Sequence, residues 1–150
     1  LKTEPFIRRL TYTDAELTTD TEIGGLDGDR LPFTPKFSAS FIADYSWALG
    51  SSIEANVGAS LRHLSEQSAG FDAAFRAANG RQRIVDGYRV LDLRAGVDFG
   101  ELRLDLYVQN LTNSRGRTSA TGVDVFGGFP LFPGGAIATG VIRPRTVGMT

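Results

Sequence analysis

Few side chains in this sequence have both the type and the spacing that chemistry requires. His63 is the single histidine, and there is no cysteine. One imidazole without thiolate partners makes a poor metal site, and the lack of cysteine also removes disulfides and cysteine nucleophiles. At the outer end of an alternating stretch, His63 reads as an interfacial or loop residue. Asp92 with Asp98, and Asp44 with Asp105, have the residue types for general acid–base work. They lie among arginines on one polar parity, where charge balance accounts for them without catalysis. Asp27-Gly28-Asp29, preceded by Asp20 and Glu22, faintly resembles a calcium loop, but the spacing departs from the twelve-residue pattern and a solvated loop is expected. Asn110-Leu111-Thr112 matches a glycosylation sequon, a three-residue match that its strand context explains better. No Gly-x-Ser-x-Gly elbow, phosphate loop or His-Glu-x-x-His pattern occurs. No residue earns a catalytic role, so the chain is read as no enzyme, with no cofactor and no bound metal expected.

Two groups remain that could meet a ligand. Phe126, Phe129 and Phe132 lie in the run Phe126-Gly127-Gly128-Phe129-Pro130-Leu131-Phe132-Pro133, and they either grip a ligand or pack against neighbouring loops. Arg76, Arg81 and Arg83, with Arg115 and Arg117, either attract an anionic substrate or stay solvated. All of them fall in long connections, so the elements around those connections must position them.

Those elements are strands. In Lys36–Trp47 one parity holds Phe37, Ala39, Phe41, Ala43, Tyr45 and Trp47, and the other holds Lys36, Ser38, Ser40, Ile42, Asp44 and Ser46. Successive side chains of a strand point to opposite sides, so this is one greasy face and one polar face, broken only by Ile42. Ser52–Leu64 alternates Ile53, Ala55, Val57, Ala59 and Leu61 with Glu54, Asn56, Gly58, Ser60 and Arg62. Tyr88–Phe99 sets Leu91, Leu93, Ala95, Val97 and Phe99 against Asp92, Arg94, Gly96 and Asp98. A fourth strand sets Leu102, Leu104, Leu106 and Val108 against Arg103, Asp105, Tyr107 and Gln109. A less regular strand spans Ile7–Ala15, and Arg143–Thr150 reads as the opening of another. Asp72–Ala78 has the composition of a helical turn, too short to stand alone. With eighteen glycines and no long amphipathic stretch, the chain is all-β.

The connections alternate in length: 16–30 long, 48–51 short, 65–87 long, 100–101 short, 113–142 long. In an antiparallel up-and-down sheet this puts every short turn at one end and every long loop at the other, the asymmetry of a transmembrane barrel. Asp44, Glu54, Arg62, Asp92, Arg94, Asp98, Arg103 and Asp105 all fall on the polar parity, where a wet lumen tolerates charge and a small dry barrel would not. Tyr45, Trp47 and Phe99 near one end fit an interfacial aromatic girdle. A soluble sandwich with a solvated polar face would show the same alternation. No run approaches the roughly 18 apolar residues of a spanning helix, a test that transmembrane strands evade. Lys+Arg 16 against Asp+Glu 17 supplies no basic face, which speaks against nucleic acid as a partner.

Four stretches carry a resemblance. Leu31-Pro32-Phe33-Thr34-Pro35-Lys36 resembles the opening of a late strand in TonB-dependent receptors. Leu106-Tyr107-Val108-Gln109-Asn110-Leu111-Thr112-Asn113 resembles their penultimate strand, and Arg143-Pro144-Arg145-Thr146-Val147-Gly148-Met149-Thr150 the start of their last. Tyr12-Thr13-Asp14-Ala15-Glu16-Leu17 is similar to a common strand-to-loop transition of that family. The resemblance implies residues 1–150 as the C-terminal part of a receptor barrel in the outer membrane of a Gram-negative bacterium. It implies uptake of a scarce nutrient (siderophore-iron, cobalamin or glycan) with TonB-coupled energy. It also implies a plug domain of the same receptor, outer-membrane lipid, TonB and a small nutrient ligand as partners. Neither the plug nor the TonB box is found in these residues. The usual final aromatic is missing after Thr150, and Leu1–Arg9 match nothing in the family pattern, so truncation at both ends is expected. The fold expected is an antiparallel up-and-down transmembrane β-barrel segment of about six strands, incomplete, with long extracellular loops and short periplasmic turns. The rivals are an outer-membrane barrel enzyme, which needs a His–Asp cluster, and a soluble β-barrel binding protein, which needs an apolar interior.

Overall fold

The computed structural model describes the backbone of residues 2–3, 6–122, 125–126, 129–130 and 137–150. In chain order the elements are β1 (Lys2–Thr3), β2 (Ile7–Tyr12), β3 (Phe37–Ala48), β4 (Glu54–Leu64), β5 (Gln67–Ser68), α1 (Ala73–Asn79), β6 (Ile84–Val85), β7 (Tyr88–Asp98), β8 (Arg103–Gln109), β9 (Arg117–Gly122), β10 (Val125–Phe126), β11 (Phe129–Pro130), β12 (Ile137–Val141) and β13 (Thr146–Met149). The main sheet runs β1-β3-β4-β7-β8-β13, with β2 also on β3. β4 occupies the whole of one edge of β3, so β1 and β2 share the other, and the sheet is six ribbons wide, as the alternation predicted. All its pairings are antiparallel, and among the described residues it stays open, with β1/β2 at one edge and β13 at the other.

Register follows from the alternation, because a slip of one residue would turn every greasy side chain to the polar side. Phe41 lies opposite Leu61 and Leu61 opposite Leu91; Ala43, Ala59, Leu93, Val108 and Val147 form the next row, and Tyr45, Val57, Ala95, Leu106 and Met149 the one after. The polar parity aligns likewise, as in the row Asp44, Gly58, Arg94, Tyr107 and Gly148.

The strand ends differ from expectation by a residue or three, each for a backbone reason. β4 starts at Glu54 and not Ser52 because the Leu49 N–H donates to the Ile53 carbonyl at 2.9 Å, closing a turn over the serines. β2 stops at Tyr12 and not Ala15, since the Ala15 carbonyl has already left β3 to accept from Leu31 N–H at 3.0 Å. The turn after β7 closes by Phe99 N–H to the Leu102 carbonyl, 2.8 Å, with Gly100 at φ 89° where a side chain would be strained.

The long connections are folded, which alternation could not show. β5 pairs with β6, β9 with β12, and β10 with β11. The expected helical turn is α1, seven residues long: Asp72 caps it by accepting from Phe75 N–H at 2.8 Å, and Gly80 ends it in the left-handed region. The buried hydrophobic cluster of the described residues, Ala69, Val85 and Ala120, sits in these connections and not on the sheet.

Candidate functional site

The polar face of the main sheet is a continuous ionic and hydroxylic surface. Arg94 Nε donates to Asp44 at 3.0 Å, reaching over Gly58, where a Cβ would collide with both side chains. Gly96 plays the same part beneath Asp105 and Asn56. Glycine is needed at both places because large side chains lie flat across the strands there. Arg103 pairs with Asp105 at 2.7 Å along its own strand, and Asp92 accepts from the Ser60 hydroxyl at 3.2 Å. The carboxylates whose residue types would suit acid–base work, and which the sequence assigns to charge balance, have other partners here. Asp92 and Asp98 are six residues apart on β7, about 20 Å along a strand, and Asp44 and Asp105 have different arginines. A shallow cleft of about 270 Å³ opens on this face between Ser60, Asp92, Arg94, Tyr107 and Gln109.

The greasy parity forms no core. Leu93 is 38% exposed, Leu104 39%, Leu106 50% and Val147 71%, although no closed interior would leave them so. Gly58 and Gly96, on the polar side, are buried beneath the side chains of Asp44, Arg94, Asp105 and Asn56, whereas their neighbours Val57 and Ala95 on the other parity are exposed. The soluble-barrel rival needed these residues clustered inside, and they are not. Tyr45 and Trp47 stack, with centroids 5.5 Å apart, at the end where the short turns lie. At the opposite end Phe37 packs against His63 at 5.8 Å, and the His63 Nδ1 accepts from Arg89 Nε at 3.4 Å. His63 therefore stands on the parity opposite to every carboxylate of the sheet, and the His–Asp cluster of a barrel enzyme does not form among the described residues.

The long loops make a cap held by single polar side chains. Asp29 is 7% exposed; its Oδ2 accepts from Leu26 N–H at 2.8 Å and from Arg76. Burial pushes the Asp29 carboxyl up, but the Arg76 hydrogen bond, the Leu26 N–H and the Arg76 charge together bring it below its ordinary value. Asp72 is likewise lowered, chiefly by the Phe75 N–H it caps, against burial and with help from Arg83 at 3.0 Å. The Arg83 guanidinium also lies 4.2 Å from the Phe75 ring centroid. Gln82 joins the first loop to the second: it accepts from Arg30 N–H and donates to the Arg30 carbonyl, both at 3.1 Å. Gln67 donates to the Thr118 carbonyl at 3.3 Å, joining the third. The acidic run once comparable to a calcium loop is explained here, since Asp20 accepts from Asp27 N–H at 2.8 Å and Asp29 serves Leu26 and Arg76. No group of three potential metal ligands occurs among the described residues.

The six residues singled out as ligand contacts therefore divide. Arg76 and Arg83 are engaged by Asp29 and Asp72, while Arg81 is exposed at the end of α1. Phe126 lies opposite Phe129 in the β10–β11 pair, and Phe132 is outside the described residues.

One residue matters more than its motif suggested. Asn110, 2% exposed and at φ 51°, donates from Nδ2 to the Ser114 and Arg143 carbonyls and accepts from Ser114 N–H, all at 2.9 Å. Its own N–H donates to Asp92 at 2.8 Å. It fastens the end of β8 to the third loop and to the segment leading into β13. Its burial leaves no room for a glycan; the cue was an asparagine at a strand's end, where its side chain can satisfy turn backbone.

An open antiparallel sheet, greasy on one side and ionic on the other, with tight turns at one end and a folded cap at the other, is a piece of the wall of a membrane β-barrel. The family model of the TonB-dependent receptor-like β-barrel matches residues 6–111 of the 150, more than two thirds of the chain, so the chain belongs to that family. Among solved structures it is similar to the closed form of the ferric-catecholate import receptor Fiu from Escherichia coli K12, with a TM-score of 0.64 and 23% identity. The likeness covers 96% of this chain and 17% of that one, so it is a likeness of fold over a small part of a much longer chain. A comparison with curated protein sequences gives no match.

Proposed function

We propose that this chain is part of the wall of an outer-membrane receptor of a Gram-negative bacterium, one that takes up an iron–siderophore complex with TonB-coupled energy. The observation that supports this is the division of the sheet into an exposed greasy parity and an ionic parity within a family of receptor barrels. Of the three nutrient classes, an iron complex of catecholate type fits the loops best. Such a complex is both anionic and aromatic; the cap offers exposed Arg81, and the third long connection carries Phe126, Phe129 and Phe132 in its sequence. Arg76 and Arg83 act at one remove, holding the loop that displays Arg81. The polar face meets the plug of the same receptor, and TonB engages a region outside these residues. The wall supplies no catalytic group.

The test is uptake by cells producing the complete receptor that contains this segment. Labelled ferric catecholate should enter only when TonB is present, and Arg81→Glu should raise the half-saturating concentration roughly tenfold, the loss of one charge-assisted contact. Uptake of cobalamin or an oligosaccharide in its place would move the substrate class, and uptake unaffected by loss of TonB would sink the coupling.

A further inference from the structure

The greasy parity is apolar along its length except at two neighbouring rows near the cap end. One row below Tyr12 and Phe37 at the cap end, Leu10, Ala39, His63 and Arg89 lie side by side on β2, β3, β4 and β7, and Arg8 stands one row further down beside Phe41. From Ile53 to His63 is ten residues of β4 and its lead-in, about 26 Å of height for a strand tilted some 40°. The apolar band of an outer-membrane barrel is about 25 Å tall. With Ile53 at the lower edge, His63 and Arg89 thus stand at the upper rim, and Arg8, about 21 Å above Ile53, lies just inside it, within reach of the rim for a long side chain.

An arginine facing lipid is costly at mid-depth and nearly free at the interface, so the level is informative. Arg89 is exposed and has no carboxylate within ion-pair distance among the described residues; its one hydrogen bond there is to His63. Since the His63 Nδ1 accepts that bond, the ring's Nε2–H and the terminal nitrogens of Arg89 are left as donors. Arg8 is held over Phe6 and Phe41, at 5.4 and 5.9 Å from the ring centroids. Around them are Leu10, 73% exposed, Tyr12, 70%, and Phe37, 39%.

We propose that Arg89 and His63 bind the phosphate of an anionic lipid in the outer leaflet, whose acyl chains lie on Phe37, Leu10 and the greasy rows below. Arg8 is placed to meet a second anionic group of the same leaflet. Free phosphate would satisfy the donors but leave those exposed apolar side chains uncovered, which is why the lipid is the occupant. The proposal rests on the barrel reading, which supplies the direction of lipid.

Native mass spectrometry of the complete receptor in detergent tests it, using a phosphorylated glycolipid and the same glycolipid after dephosphorylation. The wild type should retain the phosphorylated lipid roughly tenfold better than Arg89→Ala/His63→Ala. It should also retain it better than its dephosphorylated form. Arg89→Lys should recover most of the loss, and Arg62→Ala, at the same height on the polar face, should change nothing. Equal retention by wild type and the double variant, both correctly inserted in vesicles, overturns the proposal alone. Displacement of the lipid by millimolar inorganic phosphate, with no effect of removing the acyl chains, overturns the choice of lipid. Failure of the wild-type receptor to enter bilayers would overturn the barrel reading beneath it as well.

Discussion

The sheet and its cap are built on opposite plans. In the sheet, long strands pair over as many as eleven residues without interruption, yet of its hydrophobic side chains only Ala55 and Val90 are buried. In the cap, pieces of two to seven residues enclose Ala69, Val85, Ser68, Gln67 and Asp29. The sheet therefore takes its stability from backbone pairing and from presenting each face to the solvent that suits it, lipid or water. The cap depends on particular polar side chains that satisfy particular backbone groups, since a buried unpaired N–H or carbonyl costs about 1–3 kcal/mol. Regular patterning tolerates many substitutions that keep its parity, and a net of single hydrogen bonds tolerates few.

The largest effect should come from violating parity in the sheet. Leu93 lies in the middle row of the greasy face, and Leu93→Arg in the complete barrel should lower unfolding stability in vesicles by about 2–4 kcal/mol. Arg94→Leu, one residue on but facing water, should cost less than about 1 kcal/mol, because Arg94 and Asp44 form an ion pair open to solvent. Equal costs at 93 and 94 would mean the two faces meet the same medium. In the cap region the corresponding break is Asn110→Ala, which orphans the Ser114 and Arg143 carbonyls together and should cost about 2 kcal/mol. Faster protease nicking between 112 and 145, with the sheet still paired, is the sign to look for.

This contrast also explains what could be read beforehand. The four central strands, their faces, the short turns and the aromatic end at Tyr45 and Trp47 were legible because a period of two leaves a trace in every residue. The cap was not. Of residues 65–87 only the helical turn was anticipated, over Asp72–Ala78 where α1 lies, since the two-residue strands β5 and β6 are too short to alternate. Arg76 and Arg83 looked like free charges because their partners are distant in sequence or hidden by type: Asp29 is 47 positions away and Asp72 serves as a helix cap besides. Asn110 drew notice as part of a motif, and its task at φ 51° is visible only once Arg143 is brought beside it. Pattern carries surfaces; it does not carry one-to-one bonds.

A smaller effect sharpens the comparison within the sheet. At Gly58 the polar face obeys the cap's rule, since one residue, and not merely its class, is required. Gly58→Val would place a branched side chain where Asp44 and Arg94 cross, and should cost about 1–3 kcal/mol as both are forced aside. Gly50, in a turn with open space around its Cβ position, gives the contrast: Gly50→Val should cost well under that. Comparable losses at 58 and 50 would show that the strands merely dislike valine, and the crossing of Asp44 over Gly58 would lose its importance.

The smallest effect is a local one, and acid should bring it out. Asp29 and Asp72 both have carboxyls held below the ordinary value of 3.8. A carboxyl lowered by folding stabilises the fold above its unfolded value and loses that contribution as pH falls through its folded one. The cap should accordingly loosen below about pH 3.8 while the sheet, held by backbone pairs that do not titrate, keeps its protection. Protonation would also strand Arg76 and Arg83, whose Nε atoms are buried without a partner and whose charges then lose their carboxylates. Amide exchange, corrected for its intrinsic pH dependence, should show Leu26 and Phe75 opening first, with the amides of β4 and β7 unchanged. Asp29→Asn should abolish the acid response at Leu26 and spare it at Phe75, because the two carboxylates serve different segments of the cap. If Leu26, Phe75 and the sheet amides all open together, cap and wall form one cooperative unit, and the division drawn between them fails.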